Sequence, residues 1–190
     1  MLKKSLSAYS LASSKSLSFL QILLASCFIA LCAQIKIPLY FTPVPLTFQG
    51  VGILLVALML GGKKGALATG SYLLQGALGL PVWAGGISSG IFYLLGPTGG
   101  YLFAYVLQAY FVGFFSEKFL RTSFVKLFCA LVLSVFFHLL LGSLWLSYFV
   151  GIDRSLQLGM FPFLFLDCAK ALGALGLIQM VKKHPLNTHT

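Results

Sequence analysis

Acidic residues are almost missing from this chain: three Asp and Glu stand against 13 Lys and Arg in 190 residues. So few carboxylates leave no pair for general acid–base catalysis and no cluster to hold a hard cation. Charge of either sign is scarce, at 8%, where a soluble domain carries about a quarter. With 59% apolar residues, the chain holds more apolar surface than a soluble core can absorb. The class that remains is a polytopic membrane protein. No basic–aromatic patch accompanies the net charge of +10, which argues against a nucleic-acid partner. The basic residues fall between apolar blocks instead, a pattern of membrane topology.

Other signatures are missing as well. Cys27, Cys32, Cys129 and Cys168 lie in apolar stretches and form no Cys-x-x-Cys pair, so they read as small buried hydrophobes. His184 and His189 stand in a polar tail without metal-ligand spacing. The sequence Gly-Lys-Ser/Thr does not occur, so there is no Walker A loop for ATP. An intramembrane enzyme lacks a His-Glu metal motif and paired carboxylates. Neither a resident cofactor nor a metal is expected.

What is present is a series of apolar runs divided by breakers. They predict an all-α membrane protein of six transmembrane helices, at about 17–34, 48–62, 65–80, 99–115, 124–150 and 159–181. The second and third are short for a bilayer of ~30 Å. Lys3, Lys4 and Lys15 before the first run imitate a signal peptide, and Leu24-Ala25-Ser26-Cys27 resembles a lipoprotein cleavage box. The apolar run continues through Ala33, so a retained first helix is expected. With the N-terminus inside, ten basic residues lie inside: Lys3, Lys4, Lys15, Lys63, Lys64, Lys118, Arg121, Lys126, Lys182 and Lys183. Lys36 and Arg154 lie outside. This bias puts both termini in the cytoplasm. Residues 1–190 then form a single integral membrane domain, with cytoplasmic tails at 1–16 and 182–190.

Three irregular segments fall on the outer side. The first, Ile35 to Thr47, carries Pro38, Pro43 and Pro45 and should be extended and stiff. The second, Leu80 to Tyr101, is apolar yet rich in glycine, and such backbone at membrane depth must be buried or line a cavity. Its end, Gly96-Pro97-Thr98-Gly99-Gly100, opens the fourth helix. There it is either an anion site at a helix N-terminus or a glycine turn needed for close packing. The third, Gly151 to Ser155, reads as a solvated turn containing Asp153 and Arg154.

The costliest feature is Asp167 with Lys170, three residues apart inside the last apolar run. Spacing i, i+3 places both on one helix face. A charge at the bilayer centre costs roughly 2.5–3.5 kcal/mol on insertion scales. Their default role is a ligand, ion or proton site; the plain alternative is an ion pair that only neutralises itself. At 1.5 Å per residue they lie roughly 12 and 16 Å beyond Gly159, in the outer half or near the midplane. Gln49 starts the second helix on the same side, and Tyr72 and Gln75 fall midway along the third, as pocket residues or interhelical hydrogen-bonders. Ala171, Gly173, Ala174 and Gly176 leave space near the pair. His138 and Gln108 read as packing residues. These groups converge on a pocket opening outward.

Taken in order, several segments resemble the BioY family, the biotin-binding S components of energy-coupling factor (ECF) transporters. They are Ala33-Gln34-Ile35 with Ile37-Pro38-Leu39, Val44-Pro45-Leu46-Thr47-Phe48-Gln49, Tyr72-Leu73-Leu74, Gly79 through Gly86, Gly96 through Leu102, and Asp167-Cys168-Ala169-Lys170. The resemblance runs from about Leu17 to Val181. It implies an S-component bundle in the plasma membrane, biotin uptake from outside, and as partners a T component and two cytoplasmic ATPases. It implies that Asp167 and Lys170 bind the ureido ring, the carboxylate accepting its N–H and the ammonium donating to its oxygen. The valerate carboxylate would go to the glycine loops (Gly85, Gly86, Gly96, Thr98, Gly99), with Gln49, Tyr72 and Trp83 lining the pocket. Ser26 and Ala30 occupy the positions of an Ala-x-x-x-Ala motif that contacts the T component. Between Gly86 and Gly96 the chain has Ile87, Ser88, Ser89, Phe92 and Tyr93, where the family is richer in glycine. The alternative function is a solitary facilitative or proton-coupled vitamin carrier with Asp167 as proton site.

Overall fold

The structure, a computed structural model, describes residues 2–84 and 90–183, with side chains for 16–84 and 90–181. It is mostly helical. Helix α1 (Leu2–Gln34) leads into a two-residue antiparallel hairpin, β1 (Lys36–Ile37) with β2 (Leu46–Thr47), in which Lys36 faces Thr47. Then follow α2 (Gln49–Ala77), α3 (Gly90–Leu95), α4 (Gly99–Phe119), α5 (Phe124–Val150), α6 (Ile152–Ser155), a π-helical turn (Leu156–Met160) and α7 (Phe161–Lys183). Among the described residues, four stretches are long and apolar enough to cross a membrane: Ser16–Gln34, Gln49–Ala77, Phe124–Val150 and Ile152–Val181. Helix α4 has the length, at 21 residues, but Tyr101, Tyr105, Gln108 and Tyr110 dilute its apolar character.

The expected second and third helices form one continuous element with a sharp break. Gly61 sits at φ 81°, ψ 178°, a region essentially restricted to glycine. Here the chain doubles back. A Cβ on Gly65 would stand 3.0 Å from the Cα of Ala57, which an unbroken helix would hold more than two turns away. Gly52 packs on Cys32 near one end of α1, whereas Lys64 donates to Gln21 at 2.8 Å near the other. The end of α4 fastens the reversal: Glu117 Oε1 accepts from the Gly62 amide at 3.0 Å, and Ser116 donates to the Leu58 carbonyl at 2.9 Å. A Cβ on Gly113 would overlap the backbone of Gly61 and Gly62, so glycine is what lets the elements touch.

Two of the segments expected on the outer side differ from expectation. The stretch expected as a solvated turn at 151–155 is helical from Ile152. Gly151, at φ 83°, ends α5, and Asp153 lies in the first turn of α6, where an acid favours helix. The last helical run therefore begins seven residues before 159 and passes through the π turn. The glycine-rich second segment contains the six-residue α3.

Helices α2 and α4 pack most extensively, α5 covers α4, and α7 lies against α5 and α2. Helix α1 packs on α2. A polar seam joins it to the second half of α2 and the segment beyond: Gln75 donates to Ser26 at 2.9 Å, and Gln34 donates to the Pro81 and Val82 carbonyls at 3.3 and 3.0 Å. Lys36 donates to the Ala84 carbonyl.

Candidate ligand-binding site

Asp167 and Lys170 meet as the spacing requires, with Lys170 Nζ 2.7 Å from Asp167 Oδ1. Both side chains keep slight exposure, 15% and 17%, because they border a pocket. About 510 Å³ of empty space lies there, the open mouth included. Only about 50 Å³ of it is open to the centre of a water-sized sphere, a tighter space than the roughly 300–1,000 Å³ of drug-sized sites. The first hairpin and the start of α2 supply Val44, Pro45, Thr47 and Gln49 on one side, with Ala84 beside them. Thr98 comes from just before α4, Tyr101, Leu102 and Tyr105 from its first two turns, His138 and Leu139 from α5, and Phe163 with the charged pair from α7. Tyr93 of α3 completes the lining.

The aromatic wall depends on glycines that accept a ring. A Cβ on Gly142 would overlap the Tyr101 ring, and one on Gly159, in the π turn, would overlap its hydroxyl. Tyr101 thus crosses α5 to reach Ser143, 3.0 Å away. Tyr105 stacks on His138 with centroids 4.0 Å apart and an interplanar angle of 26°. Tyr101 meets the same imidazole edge-on at 5.9 Å. Behind the pair lies a smaller cavity, with about 10 Å³ open to the centre of a water-sized sphere, lined by Gly50, Tyr105, Gln108, Asp167 and Lys170 among others.

Buried polar atoms normally have partners. Among the described residues, Gln49 Nε2, Tyr72 Oη, Trp83 Nε1, Gln108 Oε1 and His138 Nδ1 have none. Gln49 and His138 line the main pocket and Gln108 the smaller one. A site with a donor, an acceptor and a self-neutralised ion pair suits a small molecule that carries both kinds of hydrogen-bonding group.

Of the residues expected in the site, the structure brings Asp167, Lys170, Gln49 and Thr98 to the pocket. Tyr72 and Trp83 stand behind the wall, both fully buried. The indole fills the space left by Gly76 and stacks on Tyr93 at 5.4 Å. Gly96 and Gly99 also lie outside the lining. The Gly96 carbonyl accepts from Trp145 Nε1 at 2.9 Å, and a Cβ on Gly99 would overlap the Leu94 carbonyl. Packing accounts for Gly99, whereas a Cβ on Gly96 would meet only ordinary contacts. Gly85 and Gly86 lie outside the described residues. Ser26 is fully buried, donating to the Leu23 carbonyl and accepting from Gln75. It therefore faces the protein interior and not a partner; Ala30 is half-buried.

The sequence reading missed Tyr93, Tyr101 and Tyr105 and took His138 for packing. One signal was available. Tyr101, Tyr105 and Gln108 recur at i, i+4 and i+7, one face of α4, and follow directly on the glycine turn.

A model of the BioY family matches residues 4–185. The chain is 37% identical over 165 residues to a probable biotin transporter BioY of Pyrococcus horikoshii, covering 85% of this chain and 96% of the relative. It is 38% identical over 167 residues to the biotin transporter BioY of Thermotoga maritima, covering 86% and 96%. Its fold superposes on the S-component for biotin from an ECF-type ABC transporter with a TM-score of 0.80, at 29% identity, covering 90% of this chain and 93% of the other. Match, relatives and fold agree over nearly the whole length, and this multi-pass membrane protein belongs to the BioY family.

Proposed function

We propose that this chain captures biotin at the outer face of the cell membrane and delivers it inward with an ECF module. The observation that carries the reading is the Asp167–Lys170 pair on the rim of a pocket that also holds the unpartnered Gln49 and His138. A ureido ring presents one acceptor between two donors. Lys170 donates to its oxygen and Asp167 accepts from an N–H, so the ligand exchanges places with the intramolecular bond at little electrostatic cost. The aromatic wall covers the bicyclic ring system. The valerate carboxylate points toward Thr98, which precedes α4 without a side-chain cap; the Gly99 amide donates to the Gly96 carbonyl, so the Gly100 and Tyr101 amides would face the anion.

The two halves of α2 cross separately, and with α1, α4, α5 and α7 they make six spans. The bias of ten basic residues to two orients both termini toward the cytoplasm. A T component and two ATPase subunits supply the energy, since the chain has no Walker A sequence. The protein itself is a binding and delivery component, not an enzyme.

Calorimetric titration of biotin into the purified protein tests the pocket. Tight binding that disappears in Asp167→Asn and in Lys170→Ala supports the reading; a wild-type protein that binds no biotin ends it. Uptake by vesicles with and without the ATPase module then tests the coupling. Full uptake without the module would favour the solitary carrier.

A further inference from the structure

A cyclic urea has two N–H donors, which diverge on either side of the carbonyl. If Lys170 takes the oxygen and Asp167 one N–H, the second N–H must find another acceptor or be buried unpaired. An unpaired buried donor costs the full desolvation of that group.

Beside the Thr and Tyr hydroxyls of the lining, which can donate as well as accept, the unpartnered buried atoms narrow the choice. The unpartnered atom of Gln49 is its Nε2, a donor. Tyr72 and Trp83 stand outside the lining. The unpartnered Nδ1 belongs to His138, which is 3% exposed and lines the pocket. A neutral imidazole protonated on Nε2 accepts at Nδ1. The placement also fits. His138 stacks on Tyr105, and Tyr105 lines both the main pocket and the smaller cavity shared with Asp167 and Lys170. The imidazole is thus at the end of the pocket where the pair stands, and the Tyr105 and Tyr101 rings fix its plane.

We propose that His138 is a ligand-binding residue that accepts the second ureido N–H through Nδ1, making a three-point reading of the ring with Asp167 and Lys170. This rests on the biotin assignment above. It extends that assignment to a residue on α5, so that two helices, α5 and α7, close on one small ring.

The test pairs a substitution with a change in the ligand. Two cyclic carbamates, each with one ureido N–H replaced by a ring oxygen, remove one donor at a time with little change of shape. In the wild type each should bind about 10- to 100-fold more weakly than biotin, the usual effect of one unpaired buried group. His138→Phe keeps the stack on Tyr105 and removes the acceptor. It should weaken biotin by a similar factor and be indifferent to one of the two carbamates, while still discriminating against the other. Equal discrimination against both carbamates in wild type and variant overturns the proposal. So does indifference that appears in Gln108→Met instead, which would give the role to the acceptor behind the pair. Wild-type protein that binds no biotin defeats both this proposal and the function it rests on, so the two failures are distinguishable. Nitrogen-15 NMR of histidine-labelled wild type gives a readout independent of any variant. The Nδ1 resonance of His138 should move with biotin and not with the carbamate that lacks its partner; a resonance unmoved by biotin also overturns the proposal.

Discussion

Asp167 and Lys170 neutralise each other at 2.7 Å in an apolar helix, and removing one partner leaves the other charge stranded. Truncating one member of such a pair costs about 2–5 kcal/mol. Asp167→Asn and Lys170→Ala should therefore each weaken ligand binding roughly 30-fold or more, read by calorimetry. The double variant Asp167→Asn/Lys170→Met separates binding from folding. It should melt at or above the temperature of either single variant, because no lone charge remains, and still bind no ligand. A double variant that binds like wild type would make the pair a purely structural neutralisation. The pair was legible in the sequence because charge is so rare there. The faces of Tyr72 and Trp83 were not, since their place in a sequence motif does not say which way a ring turns. Gly76 decides that for Trp83 by leaving room for the indole.

At the scale of elements, two glycine contacts shape the site. Gly61, with φ 81° and ψ 178°, permits the reversal within α2, and substitution by alanine in that region costs about 1–3 kcal/mol. Gly61→Ala should lower the melting temperature in detergent while any protein that remains folded keeps its ligand affinity. Gly142→Ala acts differently. Its Cβ would overlap the Tyr101 ring, so the ring must leave the pocket wall. Affinity should fall at least as steeply as stability, which calorimetry and thermal melts on the same sample distinguish. The sequence announced the helical runs through their apolar lengths, and α5 appears with the expected bounds. It announced the reversal at Gly61-Gly62-Lys63-Lys64 as a loop between two spans, but not that the turn would be one residue, Gly61, inside a continuous helical element. Nor did it announce α6, because a short polar stretch between apolar runs looks like a turn until Gly151 and Asp153 are seen to start a helix. The pairing of β1 with β2 involves two residues each, too few for any alternation to register.

For the whole molecule, the proposed orientation can be mapped directly. In a cysteine-free background, Lys36→Cys and Arg154→Cys should react with an impermeant thiol reagent added outside intact cells. Lys63→Cys and Arg121→Cys should react only after permeabilisation. Reaction of Lys63→Cys from outside would mean that the halves of α2 do not cross the membrane separately. The packing of α1 on α2, with the seam from Gln21–Lys64 to Gln34–Val82, further implies that these elements move as one body. Gln75→Leu, which removes one rung of that seam, should cost about 1 kcal/mol, seen as a lower melting temperature with affinity unchanged.

The closed ion pair also has an electrical meaning. Its charges sum to zero, so when the pocket is empty this part of the protein presents no net charge to the membrane voltage. A bound carboxylate ligand would add a single negative charge to that neutral background. Carrying it fully across an inside-negative membrane costs about 2.3 kcal/mol per 100 mV. Loaded steps should therefore slow as the membrane hyperpolarises while the return of the empty protein does not. A carboxamide analogue of the ligand should abolish the difference, measurable as voltage-dependent uptake in vesicles clamped by potassium gradients.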